Sequence, residues 1–88
     1  MTVSNVPVPH HPQLYLQLGA FRELAHAEVL KGRVEAYINK QVIINKGLLK
    51  HLPIYRVRIG PLLGVGESDH LQSELRRLGF GEAITVIG

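Results

Sequence analysis

Hydrophobic and polar positions alternate from Leu14 to Leu18. Leu14, Leu16 and Leu18 point one way, Tyr15 and Gln17 the other. That is the pattern of a strand buried on one face. Gly19, with no Cβ to clash in a tight bend, is expected to end it. From about Glu23 to Ile38 the period becomes helical, with Leu24, Ala27, Leu30, Val34 and Ile38 on one apolar stripe. Gly32 inside that stretch costs roughly 1 kcal/mol relative to Ala. Val42 to Asn45 predicts a short second strand, and Lys46 to Pro53 a connection that turns near Gly47. Alternation returns over Ile54 to Ile59: Tyr55, Val57 and Ile59 share one face, and Ile54, Arg56 and Arg58 the other. Gly60-Pro61 punctuates the end of this strand. A second helix follows, with Ser68 as its expected N-cap and Asp69 favourable in its first turn. Its stripe is Leu71, Leu75 and Leu78; Arg76 and Arg77 fall in its last turn and Gly79 closes it. Ala83 to Ile87 gives the last strand.

The pattern occurs twice. Leu16-Gln17-Leu18-Gly19-Ala20-Phe21 and Val57-Arg58-Ile59-Gly60-Pro61-Leu62 begin at positions 16 and 57, an offset of 41 residues. Each copy is a strand, a bend and an amphipathic helix, which alone buries one face of its sheet and one stripe of its helix. Two copies side by side close one core. The order β-α-β-β-α-β predicts an α+β, ferredoxin-like (RNP-like) fold through two right-handed crossovers. It has a four-stranded antiparallel sheet with two helices on one face. The repeat assigns the faces as well. Leu16, Leu18, Val57 and Ile59 turn toward the helices. Tyr15, Gln17, Arg56 and Arg58 lie on the face left open for a ligand.

Composition narrows the class. A chain of 88 residues makes one small domain, and 45% hydrophobic content suffices for a core. There is no Cys, hence no disulfide framework or thiolate chemistry. No apolar run approaches about 20 residues, so no membrane span and no membrane contact by the domain are expected. The first residues lack a basic segment followed by an apolar one, so no signal peptide is expected in them. Met1 to Pro12 holds three of the five prolines and the pair His10-His11, and reads as a Pro-rich linker or tail before a domain at 13–88. A net charge of +3 points weakly to an anionic partner.

At the doubled motif the sequence resembles a known family. Tyr-Leu-Gln-Leu-Gly-Ala-Phe at 15–21 and Tyr-Arg-Val-Arg-Ile-Gly-Pro-Leu at 55–62 are similar to the two signature segments of SPOR (sporulation-related repeat) domains. Ser68-Asp69-His70-Leu71 and Leu75-Arg76-Arg77-Leu78-Gly79 fit that family's second helix. The second half looks most like the C-terminal domain of the rare lipoprotein A family of septal lytic transglycosylases. The resemblance covers about residues 13–87. It implies a non-catalytic module that binds peptidoglycan strands lacking stem peptides and targets its parent protein to the division septum. It also implies a location in the bacterial envelope and periplasm, and a monomer without cofactor or metal. Carried onto the matched motifs, it implies glycan binding by Tyr15, Gln17, Gly19, Ala20, Phe21, Arg56, Arg58 and Gly60. Leu62 stands where the second repeat often has Phe, and Gly64 and Gly66 loosen the approach to the second helix, so no aromatic platform is expected on that loop.

The residue types suit such a ligand. Removing a stem peptide leaves a free lactyl carboxylate, which an arginine fork meets with two parallel hydrogen bonds. Gln17 offers a donor and an acceptor for acetamido and hydroxyl groups. Tyr15 or Phe21 suits an apolar sugar face, and Gly19 and Gly60 let a sugar approach the main chain. Plainer roles compete. The arginines and Gln17 also suit a solvated surface, Phe21 a staple at the helix start, and the glycines the backbone bends alone. Ser68-Asp69-His70 cannot form a triad, because consecutive helix residues do not face one another. The remaining histidines are scattered, and the six glutamates fall mainly on helices and adjoining turns, away from the open face. Two other functions fit the fold. One is RNA-type recognition, but that stacks bases on sheet aromatics where this third strand carries arginines, so no nucleic-acid partner is expected. The other is a protein-interaction or small-ligand regulatory domain.

Overall fold

The computed structural model describes residues 13–88, and the readings placed on Met1 to Pro12 lie outside them. Six elements follow in order: β1 (Leu14–Phe21), α1 (Leu24–Glu35), β2 (Val42–Leu49), β3 (Leu52–Leu62), α2 (Val65–Arg77) and β4 (Ile84–Ile87). The sheet runs β2-β3-β1-β4 with every neighbouring pair antiparallel. The α+β, ferredoxin-like order expected from the repeat is the order found.

The core lies between the helices and one face of the sheet. Leu16, Val57 and Ile59 come from the central strands, Ala27 and Val34 from α1, and Leu71 and Leu75 from α2. These are the strand positions that alternation turned inward. Leu18 packs against the same cluster. Ile38 reaches it from beyond the end of α1, which stops at Glu35. Leu24, expected on the apolar stripe, remains 43% exposed.

The strands are longer than their patterns. Gly19 does not end β1, which continues to Phe21. Gln17 pairs with Arg58 and Gly19 with Val57, so β1 carries one extra residue, Leu18, between those pairs. This β-bulge puts Leu18 and Gly19 successively on the helix side. β3 likewise runs through Gly60-Pro61 to Leu62, with a second register shift between the pairs Leu16–Ile59 and Leu14–Leu62. The expected connection from Lys46 to Pro53 is a β-hairpin instead. β2 continues to Leu49 and turns through Lys50 and His51, both at positive φ. Two-residue hairpin turns with positive φ usually advertise themselves as Asn-Gly, and Lys-His does not.

Ser68 is not the N-cap of α2. The helix begins at Val65 after Gly64, which makes no side-chain cap. Ser68 sits inside the helix, 1% exposed, its Oγ 3.0 Å from Thr85 Oγ1 on β4. Capping falls to Glu67, whose Oε1 accepts the Leu63 N–H at 2.7 Å. Its other oxygen receives Lys40 from the α1–β2 connection. One carboxylate thus ties the start of α2 to a distant loop, as in half a capping box.

This clasp makes stability pH-dependent. The Leu63 N–H and then Lys40 hold the Glu67 carboxyl below its ordinary value of 4.5. A depressed pKa in the folded state stabilises fully above the unfolded value and is lost as pH falls through the folded one. Thermal melts of Glu67→Gln and the parent chain should therefore differ at neutral pH, with the gap starting to close as pH falls below about 4.5 and gone only below the lowered folded value. A gap that persists in acid would assign the stabilisation elsewhere.

Candidate functional site

The face of the sheet opposite the helices collects the odd-numbered start of β1 and the even-numbered run of β3. Direct pairing fixes its composition. Tyr15 faces Val86 and Gln17 faces Ile84 on β4. Gln17 also faces Arg58, Ala20 faces Arg56, and these arginines face Ile43 and Asn45 on β2. No carboxylate lies on the strands, because all seven belong to the helices and the turns beside them. Among the described residues neither Arg56 nor Arg58 makes an ion pair.

Arg58 is held. Its Nε donates to Gln17 Oε1 at 3.0 Å across the two central strands. A Cβ placed on Gly88 would stand 3.2 Å from Arg58 Nη1 and 3.4 Å from the Tyr15 ring. A Cβ on Gly60 would stand 2.7 Å from the other edge of that ring. Tyr15 therefore lies between two bare backbone segments, beside the guanidinium, and its hydroxyl donates to Gln13 at 3.1 Å. The bond through Nε fixes the plane of the guanidinium and leaves donors on its terminal nitrogens.

The Gln17–Arg58 pair is separated by the same 41 residues as the sequence repeat. Residues equivalent under the repeat thus meet across the sheet at this one place, and the approximate twofold axis of the doubled unit passes through them. Symmetry would set Arg56 against Gly19 as Tyr15 is set against Gly60. The β1 bulge prevents it. A Cβ on Gly19 would meet Phe21 and Leu30, on the helix side. Arg56 lies instead over Gly47 of β2, where a Cβ would be 2.5 Å from Nη1.

The residues singled out from the sequence therefore divide. Tyr15, Gln17, Arg56, Arg58 and Gly60 converge on the open face, and Ala20 joins them opposite Arg56. Gly19 and Phe21 do not. Phe21 packs against the core and meets His26 edge-on, with 6.4 Å between ring centroids. The sequence reading overlooked Ile43, Asn45 and Gly47 on β2 and Ile84 and Val86 on β4. The alternation Ile43-Asn45-Gly47 carried the signal for β2, once the strand was allowed to run past Asn45.

A four-stranded sheet with both helices behind it and an unpaired arginine face defines a ferredoxin-like binding domain. The SPOR domain family profile matches residues 11–85, and the chain belongs to that family. SPOR domains are binding modules rather than catalysts, and peptidoglycan is what the family binds. The endolytic peptidoglycan transglycosylase RlpA of Pseudomonas aeruginosa, from strains UCBPP-PA14 and PAO1, is 32% identical over 73 residues. Those residues are 83% of this chain but 21% of the relative, so the match spans about a fifth of that protein's length. The crystal structure of the RlpA SPOR domain from Pseudomonas aeruginosa superposes with a TM-score of 0.78, covering 83% of this chain and 96% of that one at 32% identity.

Proposed function

We propose that the open face recognises peptidoglycan glycan strands from which stem peptides have been removed, and that the domain thereby directs its parent protein to the division septum of a bacterial envelope. The observation that carries this reading is Arg58, oriented by Gln17 beside Tyr15 on a sheet face without a carboxylate. A muramic acid residue freed of its peptide presents a carboxylate, which the terminal nitrogens of Arg58 meet. Arg56, Asn45 and Ala20 extend the face toward β2, where further sugars lie, and Tyr15 covers an apolar sugar surface. The likeness to RlpA extends the proposal to a parent protein with a peptidoglycan-cleaving domain elsewhere in its chain.

The length of the face matters to the energetics. One exposed arginine–carboxylate pair contributes about 0.2–1 kcal/mol, whereas micromolar affinity requires roughly 8 kcal/mol. Several sugars must be engaged together. Nucleic-acid recognition on this fold stacks bases on two or three sheet aromatics. Here Tyr55 and Phe21 pair with each other on the helix side, leaving Tyr15 as the open-face aromatic among the described residues.

Retention on amidase-treated sacculi, compared with intact sacculi, tests the proposal. The domain should be retained on the treated material and much less on the intact. The complex should weaken less than about tenfold between low and physiological salt, because it neutralises few charges compared with a phosphate-tracking protein. Equal retention on both sacculi would remove the carboxylate argument, and a tight, salt-steep complex with single-stranded RNA would replace it.

A further inference from the structure

The β2–β3 hairpin ends in exposed leucine. Leu48 is 71% exposed, Leu52 54% and Leu49 43%. They do not line one groove. Leu49 and Leu52 pair on the open-face side, while Leu48 pairs with Pro53 on the other. A ribbon apolar on both sides at its tip is shaped to enter a soft medium rather than to cover a flat patch. The turn between them is Lys50-His51, with φ of 54° and 67°. Left-handed backbone is costly for residues with a Cβ, and glycine would relieve it. A lysine and a histidine occupy those positions instead.

Charge supplies a second, independent observation. From Ala36 to Gly66 the chain has no carboxylate, yet it carries Lys40, Lys46, Lys50, His51, Arg56 and Arg58. Lys46 lies 5.9 Å from the Tyr55 ring centroid, one strand position behind the leucines. Arg22 adds a third observation. Its Nη1 donates to the carbonyls of Leu49, Leu52 and Pro53 at 3.2, 3.3 and 3.2 Å. The base of the tip is thereby braced against the end of β1, and polar backbone that would resist a low-dielectric surroundings is satisfied internally.

We propose that this hairpin tip is a membrane-surface anchor: Leu48, Leu49 and Leu52 enter the interface of a bilayer carrying anionic phospholipid, and Lys46 and Lys50 meet its headgroups. Among the described residues no helix is long and apolar enough to cross a membrane, and the contact is peripheral. It departs from the sequence expectation of no membrane contact, which rested on the absence of a spanning segment. Basic residues near an anionic surface and leucine area removed from water both favour such an association. Two lysines and three leucines together give reversible association, suited to a domain that must also reach a glycan.

Vesicle flotation tests the proposal. The domain should float with mixed phosphatidylglycerol–phosphatidylcholine vesicles and not with pure phosphatidylcholine. Leu49→Ser with Leu52→Ser should weaken that association by about tenfold or more, since both leucines leave the interface. Lys50→Glu should weaken it as well, and both variants should keep the parent melting temperature and retention on treated sacculi. The chain contains no Trp, so Leu49→Trp provides a local reporter whose emission should shift to the blue on anionic vesicles. Three results would overturn the proposal. One is no flotation with either vesicle. Another is flotation unchanged by the leucine substitutions, which would indicate diffuse charge attraction. The last is a concentration-dependent dimer abolished by those substitutions, which would make a second copy of the chain the occupant of the tip.

Discussion

Leu16→Ala should lower folding stability by about 2–5 kcal/mol, a large share of what a domain this small possesses. Leu16 is fully buried at the centre of β1, between β3 and β4, and packs with residues from both helices. Its neighbour Gln17 faces the other way. Gln17→Ala removes the hydrogen bond to Arg58 and should cost about 0.5–1.5 kcal/mol, the usual net value of such a bond. The functional order should be reversed. Gln17→Ala and Arg58→Ala should weaken retention on amidase-treated sacculi, whereas the fraction of Leu16→Ala that still folds should bind normally. The hydrogen bond from Arg58 to Gln17 predicts that the double variant should lose little more than Arg58→Ala alone. Chemical denaturation and sacculus pull-down on the same four proteins measure both orders. A silent Leu16→Ala beside an unfolded Gln17→Ala would reverse the two faces.

The architecture was legible because it is written twice. Period-two alternation marked the inward residues of β1 and β3, and the helical stripes marked Ala27, Val34, Leu71 and Leu75. The repeat then supplied the order of elements, since neither half closes a core alone. What escaped was backbone geometry set by pairing. Gly19 and Gly60-Pro61 look like strand ends, yet β3 and β1 continue across from them, and ladder hydrogen bonds outweigh local turn preference. Gly47 looks like a turn residue. Its lack of a side chain instead makes room for Arg56, a contact between strands that no local pattern records. Ser68 resembles a cap by type and position, but the turn from Val65 precedes it because Glu67 caps from inside the helix.

The candidate site was legible in part for the same reason. Tyr15, Gln17, Arg56 and Arg58 follow from alternation about the repeat. The bulge at Leu18 does not. It inverts the sense of every later β1 position, so Gly19 and Phe21 belong to the helix side and Ala20 to the open side. A one-residue slip exchanges faces, and single-sequence alternation cannot place one inside a strand of eight residues. The two halves of the face consequently differ. Arg58 is braced by glutamine and tyrosine, while Arg56 rests on bare β2 backbone.

Gly60→Ala should damage stability and binding together. Gly60 is buried at φ 149°, a conformation that residues with a Cβ rarely adopt. The added methyl would stand 2.7 Å from the Tyr15 ring and 2.9 Å from the Leu14 carbonyl oxygen. The ring has freedom to move; the carbonyl belongs to the β1–β3 ladder and has little. Strain of this kind costs about 1–3 kcal/mol. Moving Tyr15 also withdraws it from beside Arg58, so retention on treated sacculi should fall even in conditions where the variant is fully folded. Removing the ring separates the two contributions. Tyr15→Ala in the Gly60→Ala background should recover part of the lost stability, because one of the two clashes is gone, and should recover none of the binding. Gly66→Ala is the control: nothing lies within 4 Å of the added methyl, and the position is in the first turn of α2. There alanine should leave binding unchanged and raise stability by up to about 1 kcal/mol through helix propensity. If Gly60→Ala melts and binds like the parent chain, Tyr15 is not seated over Gly60 in solution, and the braced half of the face must be built some other way.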